Sequence, residues 1–423
     1  MRRTRPARLR LAAPAAALCL LLLAACEDPS GVGLIEDINE GNVDVRTLPA
    51  EDGAVQLDSL ADITGAFLTE ADFDEFRGLA GRVDDPAYGT ISASAFLDVL
   101  PPQSFPEDFR DRPVEEATLL LRRTYAYGDT MSTTRLDVRQ IAEDWDASGA
   151  TSDTAFAVQD GVIASFDVAP ADTLIEVPLP ESWIAANDTT LRSGDFSTAF
   201  HGFRLSPSDQ AAAVYGFSGE SSLRLISEGD TVSYDVSEVF SSVEPPAADP
   251  IAGDLVPIQD GTGRALELAF GTEALGASTV INRAVVRVTA DTAAATTGLP
   301  AGFVRPLARE LVLYAFATDE TESPAVNRVI VDAEGRPRAF TPAAELDEET
   351  QTFSFSSPLL TAEFQDIVLG RSEVDGFFVS PPLSPSSLDV VPVVRTSAAG
   401  CADDEAVACE GPRAVLLLIP PGQ

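Results

Sequence analysis

Several residue types that enzymes use for catalysis are absent or scarce in this chain of 423 residues. The sequence contains no lysine and a single histidine, His201. Without lysine, Schiff-base catalysis and the phosphate-binding lysine of P-loop proteins are excluded. One histidine excludes zinc sites built on several histidines and leaves only His201 for a Ser-His-Asp triad. His201 lies among apolar residues in FHGFRL, and we interpret it as a packed structural residue.

Positive charge is also scarce. The chain carries 67 acidic residues against 28 arginines, which gives a formal net charge of −39. Such a field repels phosphate backbones, so the composition predicts no nucleic-acid partner. Hydrophobic residues make up 45% of the sequence, which is enough to build buried cores. We therefore interpret the acidity as surface solvation instead of recognition of a cationic partner.

The apolar run near the N-terminus is too short for a comfortable membrane span. It extends from Leu11 to Ala25, fewer than the roughly 20 residues that a transmembrane helix needs. Five arginines precede it, as in a secretory signal peptide, which we predict over residues 1–25. The run ends in Leu-Ala-Ala-Cys, which resembles a bacterial lipobox, so cleavage would leave Cys26 as an acylated first residue. An ordinary signal peptide that happens to contain a cysteine is the alternative.

Cysteine is rare, and each of the four residues has a predicted fate. Cys19 leaves with the signal peptide and Cys26 carries the lipid, so only Cys401 and Cys409 remain. In an exported protein we expect these two thiols to form a disulfide that closes the CADDEAVAC loop. A metal site is the alternative, but two thiols without a nearby histidine disfavour it, and we predict no metal and no cofactor.

Short segments that alternate apolar and polar residues dominate the rest of the chain. Examples are TRLDVRQI, TVSYDV and AVVRVTA, and clusters of Gly, Pro, Asp, Ser and Thr separate such segments. The pattern predicts an all-β fold. We expect two antiparallel β-sandwich or jelly-roll-like halves with a few short accessory helices, because a sheet of this kind buries its apolar face against another sheet.

Local signals predict two turns and one helix. Gly128-Asp129 and Gly229-Asp230 lie between apolar runs, where glycine accepts the positive φ that hairpin turns require. Helical spacing is confined to short pieces such as LLTAEFQDIVLG at 359–370. The residues expected on its apolar face are Leu360, Phe364, Ile367 and Val368.

The segment SSVEPPAADPIAGD at 241–254 is rich in proline and acid and is the best candidate for a linker. We therefore predict a flexible polar tether over 26–49, a first β-sandwich domain over 50–245 and a second over 246–423. On each side of the linker an apolar strand leads through a polar loop to another strand. This favours two related halves, although general β-patterning also produces such an echo.

Blocks of sequence that occur in order along the mature chain are similar to a known family. They are GLAGRVDDPAYGTISASAFLDV at 78–99, FHGFRLSP at 200–207, IQDGTGRALELAF at 258–270 and VINRAVVRVTA at 280–290. The chain resembles an uncharacterised family of envelope lipoproteins from Bacteroidota-type bacteria over nearly all of its mature length. The residues that match the family's patterns are Gly81, Asp85, Pro86, Gly89, Ala93 and Asn282. The resemblance implies an envelope lipoprotein without a known activity.

A second resemblance concerns the possible ligand class. The segment from ATLLLRR at 117–123 to DWDAS at 144–148 resembles sugar-binding jelly rolls, which carry a strand pair ending in tryptophan. The resemblance implies a glycan ligand. The second tryptophan of such modules is absent here.

The same segment contains part of a calcium motif. Asp144-x-Asp146-x-Ser148-Gly149 copies the first half of an EF-hand loop. The twelfth position falls on Ala155, where the loop requires a bidentate glutamate. We therefore interpret the segment as a turn after a buried Trp145.

A recurring tripeptide predicts covalent modification. Asp followed by Ser or Thr, and then by an aliphatic residue, Met or Thr, resembles the O-glycosylation signal of exported proteins in Bacteroidota-type bacteria. The candidate acceptors are Ser59, Thr130, Thr154, Thr173, Thr189, Thr231 and Thr292. The alternative is structural, because Asp-Thr is also favoured where a turn leads into a strand.

Together these features predict a lipid-anchored outer-membrane lipoprotein with a non-catalytic binding or structural role. A glycan or an envelope protein is the expected partner, and the lipid on Cys26 is the expected link to the membrane. Glu27 and Asp28 resemble a surface-export signal, which favours the cell surface over the periplasmic face. Two alternatives stay open: an accessory subunit of an envelope export or gliding machine, and an acid-pair polysaccharide hydrolase. The sequence nominates no carboxylate pair for such a hydrolase.

Overall fold

The computed structural model shows an all-β fold, as the strand patterning predicts. It describes residues 44–56, 77–147, 154–244, 254–272, 275–319, 321, 326–332, 337–382, 387–395 and 411–419. Within these ranges the chain forms two 11-stranded sheets with antiparallel strand pairs and four short α-helices. Each sheet encloses a large apolar core of its own, so the architecture is sandwich-like.

The first sheet follows strand β1 (Asp44–Gln56) in the sequence. Its strands are β2 (Arg77–Asp85), β3 (Gly89–Leu100), β4 (Glu116–Asp129), β5 (Thr134–Gln140), β6 (Ala164–Val168), β7 (Leu174–Pro178), β8 (Phe203–Pro207), β9 (Ala213–Ser218), β10 (Ser222–Ser227) and β11 (Asp230–Glu244). A 3-10 helix (Phe109–Asp111) precedes β4, and helices α1 (Glu181–Leu191) and α2 (Phe196–Ala199) lie between β7 and β8. The spatial order is β11-β10-β4-β9-β2-β3-β8-β5-β6, with β7 paired to β4. Strand β11 also pairs with β3, so this sheet folds back on itself.

The second sheet combines β1 with strands from the C-terminal half. In chain order this half contains β12 (Leu255–Gln259), β13 (Arg264–Phe270), β14 (Val280–Thr289), α3 (Thr292–Thr296), β15 (Phe303–Val304), β16 (Glu310–Asp319), β17 (Val326–Val329), β18 (Ala344–Asp347), β19 (Thr352–Phe355), α4 (Pro358–Val368), β20 (Gly376–Ser380), β21 (Val390–Val394) and β22 (Arg413–Ile419). The spatial order is β1-β22-β14-β19-β18-β16-β20-β13-β12-β21, with β17 paired to β16. Strand β15 instead pairs with β4 and so connects the second half to the first sheet.

Strand β5 shows how sequence alternation builds these sheets. Leu136 and Val138 are fully buried in the first core, whereas Arg135, which precedes Leu136 in the strand, is exposed to solvent. Successive side chains of a strand point to opposite faces, so this alternation places one face on the core and one in water. The sequence TRLDVRQ therefore folds as a surface strand of a sandwich.

The position of β1 corrects two predicted boundaries. Residues 44–49, predicted as the end of a flexible tether, pair with β22, and residues 50–56, predicted to open the first domain, pair with β13. Leu48 and Ala50 are buried in the second core, while alternate positions such as Pro49 and Glu51 face solvent. The polar residues that suggested a tether are thus the outward face of a strand.

The predicted linker is corrected at its start. Residues 241–244 complete β11, and the Ser241 hydroxyl accepts a hydrogen bond from the Leu79 backbone N–H at 2.9 Å. The predicted boundary between residues 245 and 246 lies outside the described residues. Strand β11 before it belongs to the first sheet, and β12 after it belongs to the second.

One predicted turn is confirmed and the other is wrong. Glu228 and Gly229, with φ of 47° and 88°, form a two-residue turn between β10 and β11, as Gly229-Asp230 predicted. Gly128-Asp129 instead ends β4 and pairs with β15, while the next strand pairs elsewhere. The positive φ of Gly128 serves close packing there, since a Cβ would approach the Ala212 carbonyl oxygen to 2.9 Å.

The predicted helix is confirmed as α4. Ser357 caps it by accepting the Leu360 N–H at 2.9 Å, and Pro358 occupies the first turn. Leu360 and Phe364 are fully buried in the second core, and Ile367 and Val368 pack against that core. Among the residues that the structure describes, no helix is long and apolar enough to cross a membrane.

Candidate functional site

Four aromatic rings form a cluster on the outer face of the first sheet. Phe96 of β3 and Phe240 of β11 are cross-strand partners, with ring centroids 5.7 Å apart, and both are buried. Trp145 and Phe156 lie over them and are partly exposed. The centroid of the Phe156 ring lies 5.2 Å from that of Phe96, in an edge-to-face contact, and 5.1 Å from that of Trp145. These four residues are called the aromatic site below.

Residues 142–147, here the 142–147 loop, carry Trp145 into the aromatic site. The Trp145 indole N–H donates to the His201 carbonyl oxygen at 2.9 Å. At one end of the loop, the Ala142 N–H donates to the Ala157 carbonyl oxygen at 2.8 Å. At the other end, the Ala147 N–H donates to the Glu238 carboxylate. The loop is therefore held to the sheet by polar contacts at both ends and by ring packing between them.

Two carboxyl groups lie directly opposite each other beside the aromatic site. Asp98 of β3 and Glu238 of β11 are cross-strand partners at a β-bulge, two register positions from Phe96 and Phe240 and so on the same face. Burial, with a smaller contribution from the charge of Asp144, raises the pKa of Asp98 to about 6 against the lowering effect of the Val99 N–H. Burial also raises the pKa of Glu238, as do Asp146, Asp98 and Asp144.

Basic residues border the same face from β8 and β5. The Arg204 guanidinium lies 5.6 Å from the centroid of the Phe96 ring and donates to the Ser94 hydroxyl at 3.1 Å. Arg139 is its cross-strand partner. Burial, with a smaller effect of the Arg139 charge, lowers the pKa of Arg204. The site thus offers aromatic faces, hydrogen-bond acceptors and a guanidinium within one surface.

His201 lies next to this site without joining the carboxyl pair. Its side chain is 19% exposed, and its Nδ1 atom is 3.8 Å from the Asp144 carboxylate. Asp144 and Asp146 of the calcium-like motif are in the 142–147 loop, whereas Ser148 and Gly149 lie outside the described residues. Across the described ranges, no group of three or more His, Cys, Asp or Glu side chains is arranged to hold a metal ion.

Several predicted sites fall outside the part of the chain that the structure describes. They are the lipidation site Cys26, the disulfide pair Cys401 and Cys409, and the candidate glycosylation site Ser59. The other candidate glycosylation sites are spread over the surface and do not come together. Three of them are exposed, namely Thr173, Thr189 and Thr231, and three are partly buried, namely Thr130, Thr154 and Thr292.

The aspartates of these tripeptides have structural partners. Asp172 accepts the Ala169 N–H at 3.0 Å, Asp188 accepts the Val114 N–H at 2.8 Å, and Asp291 caps α3 through the Ala294 N–H at 3.0 Å. Asp129 accepts the Met131 N–H at 2.9 Å, and Asp230 pairs with an arginine. The turns and the helix cap that these aspartates form explain their presence without any modification. The three exposed threonines are accessible to a modifying enzyme.

A buried ion pair connects β2 of the first sheet to the segment after β15 in the C-terminal half of the chain. Asp85, in the sequence block that resembles the lipoprotein family, receives Arg305 Nη2 at 2.7 Å and Nε at 2.9 Å. The Tyr127 hydroxyl donates to the same carboxylate at 2.7 Å, and the backbone N–H groups of Ala87 and Tyr88 donate at 2.7 and 2.8 Å. The exposed fractions of the two charged side chains are 0% and 1%, so a ligand cannot reach them. The network therefore has a structural role between the two halves.

A pair of acidic side chains lies in the same interface between the two halves. Asp260 follows β12 and Asp389 precedes β21, and the Ser387 hydroxyl donates to Asp260. Burial raises the pKa of Asp260 well above its usual range, and the charge of Asp389 raises it further. Burial also raises the pKa of Asp389, against the effects of the Tyr125 hydroxyl and Arg77 from the first sheet. Folding therefore favours protonation of this pair.

No protein family, curated protein or solved structure matches this chain. The resemblance to envelope lipoproteins stays a prediction from the sequence.

Sequence reasoning missed the carboxyl pair for a physical reason. Asp98 lies two positions from Phe96, and Glu238 lies two positions from Phe240, so each strand places one aromatic ring and one carboxyl on the same face. That spacing is visible in SAFLDV and SEVF. The register that joins β3 to β11 is not visible in either segment, because partners far apart in sequence are set by tertiary packing.

Proposed function

We propose that this protein is a lipid-anchored outer-membrane protein that binds glycans at the aromatic site without catalysis. The observation that carries the proposal is the partly exposed pair of Trp145 and Phe156 beside Asp98 and Glu238. Aromatic rings pack against the C–H faces of sugars, and carboxylates accept hydrogen bonds from sugar hydroxyls. Binding surfaces combine apolar area with a few polar groups in this way.

The position of Phe156 supports this ligand class. The sequence resembles sugar-binding jelly rolls but lacks their second tryptophan, and Phe156 provides a second ring 5.1 Å from Trp145. Both rings rest on Phe96, which is fully buried, so their orientation is fixed before a ligand arrives. Rings fixed in advance reduce the entropy cost of binding.

Glycan binding is tested with the full-length protein extracted from membranes in detergent. Affinity electrophoresis against a panel of soluble polysaccharides should show retardation of the wild type by at least one of them. Trp145→Ala should lose about tenfold or more in affinity, since one stacked ring contributes at least 1.4 kcal/mol. Met131→Ala, which changes an exposed side chain outside the site, is the control. Equal retardation of wild type and Trp145→Ala would disprove the site.

A second candidate function is hydrolysis of the bound glycan. Retaining glycosidases use two carboxyl groups about 5–5.5 Å apart, and a raised pKa suits the general acid. Asp98 and Glu238 face each other across two strands, and the pKa of Asp98 is about 6. Hydrolysis predicts new reducing ends that disappear in Asp98→Asn while retardation is kept. Retardation without new reducing ends leaves binding as the function.

We also propose that the lipid on Cys26 holds the protein on the outer leaflet. The acidic Glu27 and Asp28 after that cysteine support surface export. Protease treatment of intact cells should remove the protein and spare a periplasmic control. Full protection until the cells are lysed would place it on the periplasmic face instead.

A further inference from the structure

The 142–147 loop rests on a pair of like charges. Asp98 and Glu238 are direct cross-strand partners, and like charges in such positions repel. The Ala147 N–H at the end of the loop is bonded to one of them, Glu238. Asp144 and Asp146 of the loop add two further carboxylates that act on the pair. The loop therefore closes over the sheet only against electrostatic repulsion.

The charged groups around Asp98 and Glu238 offset only part of the repulsion between these two carboxylates. Arg204 on β8 lies against Phe96 and is bonded to Ser94, and Arg139 on β5 lies beyond it. His201, which precedes β8, has its nearest carboxylate in Asp144. Glu143 in the loop accepts the Ala157 N–H at 2.6 Å. In the described part of the chain neither arginine forms an ion pair with Asp98 or Glu238, so protonation of the carboxyls relieves the repulsion.

We propose that pH gates the aromatic site through the Asp98 and Glu238 pair: the 142–147 loop closes while the pair holds a proton and opens when both carboxyls ionise. The inference depends on the proposed function, because it concerns regulation of the same site. Closure places Trp145 against Phe156, and opening separates the two rings.

Linkage gives the direction of the effect. Burial raises the pKa values of both carboxyls, and the loop adds the charges of Asp144 and Asp146, which raise them further against the lowering effect of the Ala147 N–H on Glu238. The closed loop therefore binds protons more tightly than a loop that has moved away from the pair. Raising the pH therefore shifts the equilibrium to the open loop. For one linked proton, the ratio of open to closed loop changes by up to about tenfold per pH unit. By reciprocity, a glycan that binds the closed loop is held more tightly at acidic pH.

Tryptophan fluorescence can follow the loop without any ligand. Trp145 and Trp183 are the two tryptophans of the chain, and Trp183 is buried in the first core. Trp183→Phe makes Trp145 the sole reporter in the full-length protein. Acrylamide quenching of Trp145 should rise between pH 5 and 7, with a midpoint near the pKa of about 6. If Trp183→Phe fails to fold, the difference between wild type and Trp145→Phe gives the same signal.

Conservative variants assign the transition. Asp98→Asn and Glu238→Gln keep a side-chain oxygen that accepts the same backbone N–H group. Both variants should keep the quenching of Trp145 low across the pH range. Asp167→Asn, on the edge strand β6, is the matched control and should leave the transition unchanged. Histidine also changes charge between pH 5 and 8, so His201→Asn must retain the transition.

Two outcomes would overturn the gate. One is quenching that does not change with pH in the Trp145 reporter. The other is a transition that survives in Asp98→Asn and Glu238→Gln or disappears in His201→Asn. Neither measurement uses a polysaccharide, so the gate can fail while Trp145-dependent glycan binding holds, and the reverse.

Discussion

Asp85 is a single side chain that links Arg305 of the C-terminal half to the first sheet. Its carboxylate accepts five hydrogen bonds, from Arg305, Tyr127 and two backbone N–H groups that follow it. The Arg305 guanidinium lies 4.9 Å from the centroid of the Tyr88 ring. A buried ion pair tolerates its desolvation only when such additional bonds satisfy the remaining polar atoms. Removal of either partner leaves a buried charge without compensation.

Asp85→Ala should therefore lower the free energy of unfolding by about 3–5 kcal/mol, because Arg305 keeps its charge in the interface. Urea denaturation followed by circular dichroism measures this. Asp84→Ala is the matched control, since the neighbouring Asp84 side chain is 74% exposed and its contact with Arg82 is a surface pair. A loss below about 1 kcal/mol in Asp85→Ala would show that the network contributes little.

Among the elements, α4 and the β10–β11 hairpin could be predicted because their signals are local. Ser357 and Pro358 mark the start of the helix, and Gly229 supplies the positive φ of the turn. The role of Gly128 could not be predicted, because the turn-like pair is the end of β4 and pairs there with β15, more than 170 residues later in the chain. Propensity is the same in both cases, and tertiary pairing decides the outcome.

The cap of α4 provides a prediction at this scale. Ser357→Ala should lower the free energy of unfolding by about 1 kcal/mol, because the Leu360 N–H loses its side-chain acceptor. Thermal and urea unfolding of the two proteins measure the difference. Ser354→Ala in β19 removes the same hydroxyl at an exposed position and should be nearly neutral. Equal effects of the two substitutions would contradict the capping role.

At the scale of the whole molecule, several buried carboxyls take up protons on folding. The pKa values of Asp98, Glu238, Asp260 and Asp389 are all raised, chiefly by burial. A raised carboxyl pKa stabilises the folded state below the unfolded pKa, near 4, and this contribution is lost as the pH rises through the folded pKa. For Asp98 the window extends from about pH 4 to about 6.

The melting temperature should therefore fall as the pH is raised from about 4 to 8. Differential scanning calorimetry of the full-length protein at constant ionic strength measures the slope. Asp98→Asn should flatten the slope between about pH 4 and 6, because the amide does not titrate. Asp137→Asn, at a surface position of β5, should leave it unchanged. A melting temperature that rises over this range would contradict the assignment of these groups.

The proposed attachment to the membrane also belongs to the scale of the whole molecule. Cys26→Ser should release the protein into the soluble fraction, because each buried methylene of the acyl chains contributes about 0.8 kcal/mol to anchoring. Cys19→Ser, inside the predicted signal peptide, should leave it in membranes. Fractionation with a high-salt wash distinguishes the two. Sedimentation of Cys26→Ser with washed membranes would disprove the lipid anchor.

The predicted fold class depends on alternation within each strand, and the assignment of strands to sheets depends on partners that the sequence does not reveal. Leu48 in β1 is opposite Ala414 in β22. Nothing in DVRTLPAEDGAVQ indicates that partner, so its polar residues suggested a tether. Asp85 could be selected from its sequence block, whereas Arg305 could not, because 220 residues separate them.

The pairing of β1 with β22 has a consequence for export. A chain that crosses a membrane from its N-terminus presents β1 long before β13 and β22, the two strands that flank it, have emerged. All strands of the first sheet except β15 can pair earlier, since β2 to β11 are contiguous in sequence. Until translocation reaches β22, β1 exposes unpaired backbone groups to aggregation. The proposed export therefore requires either rapid passage or a holding chaperone that protects strand β1.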